Sequence, residues 1–238
     1  MAKHMIHGLP AVFLTIAADT ADYNIFTAAG GIGSRVDVVV TIASGIVVYQ
    51  SAGLAAFRTG IGWAAGSTLR LINNGYIVGL GGTGGDGGVR PSTPGGNGST
   101  GGDALRNDST TIPFTVDNTN GYIFGAGGGG GGAGTGPFTD GVGGGGGRGR
   151  IDGPGGAGGG TADDGTAGTF AAKGLSGAAG GYVYAGDGGD WGESGGTGTT
   201  GQVAGGSGGA AGKAVNLNAA YITWAGGNNA AQVKGALV

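Results

Sequence analysis

The chain has 238 residues, 67 of them glycine, with 11% charged residues and a net charge of −3. This is not the low-hydrophobicity, high-charge composition of a disordered chain, and eleven scattered Lys and Arg with no basic run argue against nucleic acid as a partner. With no cysteine there is neither a disulfide framework nor a thiolate metal site, and no stretch approaches the ~18 consecutive apolar residues of a spanning helix, so no membrane insertion is expected.

At the N-terminus, "MAKHM" resembles an expression remnant and is expected to add nothing to the fold. The segment 11–21, "AVFLTIAADTA", has the apolar centre of a signal peptide. Only Lys3 precedes it, and Thr15 and Asp19 interrupt it, so it reads as a buried strand. His4 and His7 both lie near this end, which leaves no histidine for a catalytic triad or a metal site in the rest of the chain.

Four later segments look alike: 40–53 "VTIASGIVVYQSAG", 69–82 "LRLINNGYIVGLGG", 114–128 "FTVDNTNGYIFGAGG" and 214–227 "AVNLNAAYITWAGG". Each is a β-type run, a small or amide-bearing break, a second β-type run, then small residues. Tyr76-Ile77, Tyr122-Ile123 and Tyr221-Ile222 occupy one place in three copies, and Ile46-Val47 occupies it in the first. Asn-Gly is a hairpin signal, so four β-hairpins are one reading. Stacked rungs of a β-solenoid, with the isoleucines in one internal ladder, are the other.

Between copies the chain turns to glycine with a period of three. Stepping by three from Gly174 to Gly201 meets glycine at every position but Val183. The segments 81–89, 95–103 and 143–160 keep the same period, the last with one exception at Asp152. Three residues per turn is the polyproline-II period, and bare glycine lets such rods lie close enough to bond one another. A single rod over 174–201 would be ~87 Å long, about twice the ~45 Å breadth of a compact chain of this length, so the rods must fold back. The breaks "RPSTP" (90–94), "PFTD" (137–140) and "TADDGTAGTF" (161–170) supply turns. Collagen is disfavoured by six prolines and repeated phase shifts.

The expected fold is all-β plus polyglycine-II. The four repeats form a solenoid-like or hairpin scaffold, and the glycine insertions pack as a polyglycine-II bundle. The expected division is 1–80 as an N-terminal β domain, 81–213 as the glycine-rich region with a β repeat at 114–124, and 214–238 as a β segment returning to the scaffold.

Motif matches in so glycine-rich a chain carry little weight. "SGGAAGK" (207–213) departs from a P-loop at Ser207 and Ala214, and "GGTGGDGGV" (81–89) departs from the calcium repeat at Gly88. Asp163-Asp164 has no opposed acidic cluster and reads as a solvated turn. No enzyme, cofactor or metal is indicated. Chemical variety collects where glycine runs break: Phe138, Thr139 and Asp140; Arg148, Arg150 and Ile151; Asp163, Asp164 and Phe170; and Asp190, Trp191 and Glu193, with Tyr182 and Tyr184 assigned to either surface or core. Aromatic and arginine residues on a bland, rigid scaffold are typical binding anchors.

Glycine triplets alternating with short loops over residues 79–212, after an N-terminal β region, resemble the receptor-binding adhesins of tailed bacteriophages, most nearly the distal tail-fibre tip adhesins of T-even-type phages. The C-terminal run "YITWAGGNNAAQVKGALV" departs from that pattern. The resemblance implies a polyglycine-II sandwich whose end loops bind a host outer-membrane protein or surface glycan. It places the protein on the virion tail among other tail proteins. The resemblance also implies a homotrimer, since many fibre proteins are trimers and a trimer would supply burial that the thin core lacks. A purely structural virion part and an ice-binding protein are the alternatives.

Overall fold

Valine, isoleucine, leucine and phenylalanine alternate with polar residues in the β-type runs, a period that presents one face of each strand to a core. The computed structural model describes residues 3–6, 9–178 and 183–238, so His7 and Tyr182 lie outside the described residues. The strands are β1 (Lys3–Ile6), β2 (Leu9–Ile16), β3 (Thr20–Ala21), β4 (Tyr23–Asn24), β5 (Asp37–Ile42), β6 (Val47–Tyr49), β7 (Phe57–Arg58), β8 (Thr68–Asn73), β9 (Tyr76–Val78), β10 (Leu105–Arg106), β11 (Phe114–Asp117), β12 (Tyr122–Phe124), β13 (Val215–Asn216), β14 (Thr223–Gly226) and β15 (Val233–Lys234). One helical turn, α1 (Ile25–Ala28), is capped by Asn24, whose Oδ1 accepts the Thr27 N–H.

The strands form three sheets, in the orders β1-β2-β5-β8-β11-β14, β3-β6-β9-β12-β15 and β4-β7-β10-β13. Every pairing is parallel except β1 with β2. The chain therefore makes circuits: β2-β3-β4, β5-β6-β7, β8-β9-β10 and β11-β12-β13 each visit the first, second and third sheet in turn. A last circuit, β14-β15, is completed by a bridge between Leu237 and Val215.

Equivalent residues stack inward. Val38, Leu69 and Phe114 form one ladder, Val40, Leu71 and Val116 a second, Val48, Ile77 and Ile123 a third, and Phe57, Leu105 and Val215 a fourth, all buried in one cluster. Each such side chain contributes roughly 1.5–3 kcal/mol by leaving water. At the corner between the first and second sheets, Asn73 Nδ2 donates to Asn118 Oδ1 at 2.7 Å, and Asn118 Nδ2 to the Gly227 carbonyl at 2.8 Å.

The hairpin reading does not hold. The two strands of each repeat lie in different sheets and pair with neighbouring circuits, because the Asn-Gly break turns a corner of the coil rather than reversing the chain. Tyr76 and Ile77 stand in register with Tyr122 and Ile123. In the first copy the partners are Val47 and Val48, one residue later than Ile46-Val47. The copy at 214–227 is out of phase: it spans the third-sheet strand β13 and the first-sheet strand β14. Tyr221 and Ile222 therefore precede β14, and the residue opposite Ile123 is Val233. A short strand, a break and another strand occur at that corner too, so the local pattern is the same.

Both glycine excursions, 79–104 and 125–214, leave after a second-sheet strand and re-enter at a third-sheet strand, so they project from one corner of successive circuits. They run back and forth as extended segments bonded to one another. The segment 125–136 is central. Its N–H groups at 126, 129 and 132 bond segment 94–104, those at 127, 130 and 133 bond 141–149, and those at 128, 131 and 134 bond 193–199. Its carbonyls accept from 79–89, 183–190 and 203–213 with the same three-residue step. Six neighbours leave no room for a side chain: a Cβ on Gly128, Gly129, Gly130 or Gly131 would overlap a neighbouring carbonyl oxygen. Segment 141–149, with its own glycine run, likewise bonds six neighbours. Peripheral segment 79–89 bonds fewer, and every third residue of it, Thr83, Asp86 and Val89, is exposed.

Candidate functional site

Because the segments run to and fro, their turns gather at two ends. The loops at 149–152, 169–172 and 190–193 lie against the scaffold, and those at 89–94, 137–140 and 160–162 lie at the far end. The residues singled out from the sequence divide between these ends.

At the scaffold end, Trp191 is only 5% exposed. It stacks on Phe124 of β12 with centroids 5.4 Å apart and meets Phe170 edge-on at 5.6 Å. The Arg148 guanidinium lies 4.8 Å above the indole. Arg148 also donates to Asp190 Oδ1 at 2.6 Å and to the Phe170 carbonyl at 3.0 Å. Burial raises the Asp190 carboxyl pKa, but hydrogen bonds from Arg148 and the Trp191 N–H outweigh it and hold the group below the usual carboxylate range. Phe170 packs edge-on to Tyr76 at 5.6 Å, and Tyr76 stacks on Tyr122 at 5.1 Å. Arg150 donates to Asp19 at 3.1 Å and lies over Tyr49. Ile151, next to it in sequence, is exposed, and the carbonyl of Glu193 accepts the Gly128 N–H at 3.0 Å. The tryptophan that has no core to fill in a local reading thus fills one between the end of a glycine segment and the second sheet.

At the far end, Phe138 projects with 83% of its surface exposed. Beside it Arg90, Phe138, Thr139, Asp140, Thr161 and Ala162 line a groove of about 170 Å³. The Asp140 carboxylate accepts the Arg90 N–H at 2.8 Å and faces the Arg90 guanidinium at 3.4 Å. These contacts, the backbone N–H foremost, hold its carboxyl below the usual range. Asp163 and Asp164 follow the groove residues directly and are exposed, and Asp164 accepts the Gly158 N–H at 2.7 Å, tying two segments together. Arg90, Thr161 and Ala162 were not picked out from the sequence. The signal was the break "RPSTP" itself, which reads as a turn until its arginine is seen against Asp140.

A model of the family described as phage tail fibre adhesin Gp38 matches residues 11–238. The chain belongs to the Gp38 family of phage tail fibre adhesins. The adhesin also resembles a solved structure, the gp37–gp38 adhesin tip complex of the bacteriophage S16 long tail fibre, with a TM-score of 0.60 and 25% identity over 96% of this chain and 83% of that one. Among curated proteins none matches it. It is accordingly a receptor-binding tail fibre protein with a nearly all-β fold, a virion tail component whose family points to binding rather than catalysis. No helix among the described residues is long and apolar enough to cross a membrane.

Proposed function

We propose that the adhesin recognises the host surface through the far-end loops, with Phe138 as anchor and the Arg90–Asp140 pair beside it, and that the scaffold end faces the tail. The single observation that carries this reading is the far-end arrangement: an aromatic side chain almost wholly in water, fixed at the tip of a glycine assembly that offers few other large side chains. Aromatic and arginine residues dominate binding energy at interfaces. In this reading the glycine segments are polyglycine-II rods and the sheet circuits a β-solenoid, together a rigid stand for the loops.

The host partner fitted best is an outer-membrane protein. Phe138 projects outward as a knob, and the groove is smaller than the ~300–1,000 Å³ of a small-molecule pocket. The neighbouring S16 structure is a complex with gp37, so a fibre protein of that kind is the proposed partner on the tail side. A homotrimer belongs to the same reading and is tested by the mass of the isolated protein in solution.

The test is adsorption of particles carrying Phe138→Ala. The reading expects intact particles and a loss of adsorption of at least tenfold. Normal adsorption would remove the far end as the recognition surface. Recovery of binding on cells stripped of outer-membrane protein but not of surface glycan would replace the protein partner with a sugar.

A further inference from the structure

Segments of bare glycine bonded at every third residue have no intrinsic register. The Gly128 and Gly131 N–H groups bond the carbonyls of residues 193 and 196, three apart on each side, so a segment displaced by one triplet would find the same bonds again. Register is weakly specified wherever glycine replaces side chains that distinguish one position from the next. The sequence invites such a slip, because glycine recurs at every third position from 174 to 201 except 183.

Three residues interrupt that equivalence: Val183, Trp191 and Ala185, the last in the frame of Gly188, where a Cβ would overlap the Gly146 carbonyl oxygen. Val183 is the one non-glycine in the frame, and it is fully buried with Ala133 and Val142. Those two stand where the series through Gly127 and Gly130, and through Gly145, would otherwise continue in glycine. A Cβ on Gly201 would meet Val183 Cγ1 at 2.9 Å, so the valine occupies space that only a glycine leaves open. Trp191, at the opposite end of the same segment, is held between Phe124 and Phe170.

We propose that Val183, Ala185 and Trp191 are register pins. They fix by how many triplets the paired segments 183–190 and 193–199 are offset from the central segment, and so they position the loop that presents Phe138. The link to that loop is direct. The Gln202 N–H, in the turn after segment 193–199, bonds the Thr135 carbonyl at 2.6 Å, just ahead of Pro137 and Phe138. A one-triplet slip moves this turn by ~9 Å along the rod and leaves the root of the Phe138 loop without its support. The inference rests on the proposed rod geometry and on recognition at the far end.

The chain contains no cysteine, so spin labels can be attached to Phe13→Cys on the scaffold and Thr197→Cys on the segment in question, both exposed. The parent protein should give one narrow distance. In the Val183→Gly/Ala185→Gly/Trp191→Gly variant, which leaves no Cβ to enter the Gly188 site, a second population should appear, displaced by a step of ~9 Å, and binding to host cells should fall at least tenfold. Trp191→Phe, which keeps the stack on Phe124, should retain the single distance. One unshifted distance in the triple variant would overturn the proposal. So would a featureless spread, since the three residues would then serve folding and not register. Phe138→Ala, which alters none of the pins, separates the two readings: if it leaves host binding intact, far-end recognition fails while the distance measurement still decides the register claim.

Discussion

Replacing Gly130 by alanine places a methyl group among six neighbouring backbones. The added Cβ overlaps the Gly186 carbonyl oxygen and lies 2.7 Å from that of Asp187, both main-chain atoms with no rotamer to yield. Segment 183–190 must move outward, and doing so strains the bonds from Gly145 N–H to Gly186 and from Gly186 N–H to Gly131, now 3.0 and 2.8 Å long. Overpacking of this kind costs roughly 1–3 kcal/mol, and each weakened bond about 1 kcal/mol, which together predict a loss of about 3–5 kcal/mol. Gly196→Ala is the control: its nearest neighbour is the Gly186 Cα at 3.2 Å and its position is exposed, so a loss below about 1 kcal/mol is expected. Alanine's smaller unfolded-state entropy offsets about 0.4–1 kcal/mol in both variants, so their difference is the quantity to read. Denaturant midpoints at unchanged slope measure it. If the two variants lie within about 0.5 kcal/mol of each other, the six-neighbour packing is wrong.

Ile123→Ala, in the ladder between Ile77 and Val233, should cost about 2–5 kcal/mol by the same assay; a loss below about 1 kcal/mol would contradict a packed coil interior. Arg90→Ala should lower host adsorption several-fold while leaving the unfolding midpoint nearly unchanged, because the pair it breaks is half-exposed; a large loss of stability with normal adsorption would assign the pair to the fold alone. Asp19, Asp22, Asp117, Asp140 and Asp190 all have carboxyl pKa values held below the ordinary one. Below the ordinary value of ~4 the unfolded chain binds more protons than the folded one. Their stabilisation is therefore full above pH ~4 and declines as pH falls through the folded values. Thermal unfolding followed from pH 6 to pH 2 should show this decline, and a midpoint flat across that range would refute it.

The circuits through β8-β9 and β11-β12 were legible because their corners carry the same Asn-Gly step followed by Tyr-Ile, a local feature. The third sheet was not, since each of its strands is two residues long and has no period to detect. Residues 214–227 misled for a related reason: a strand, a break and a strand look the same at any corner, and only pairing with β10 and β11 tells which corner it is. Glycine periodicity pointed to segments that fold back, while which segment is central follows from where all three residues of a triplet are bare, as at 127–132. Trp191 reads from the sequence as a surface loop residue because its partners, Phe124 and Phe170, are distant in sequence. Phe138 and Asp140 were selected as loop residues, and their neighbour Arg90 emerged only when two separate turns met.

Amide hydrogen exchange over residues 127–132, compared with that of Ile77 and Ile123, bears most directly on the central claim that backbones without side chains satisfy one another as a rigid body. The account predicts that these glycine amides, each bonded to a neighbouring segment, exchange as slowly as the strand interior. Exchange at the rate of an unstructured peptide, with the strands still protected, would contradict it.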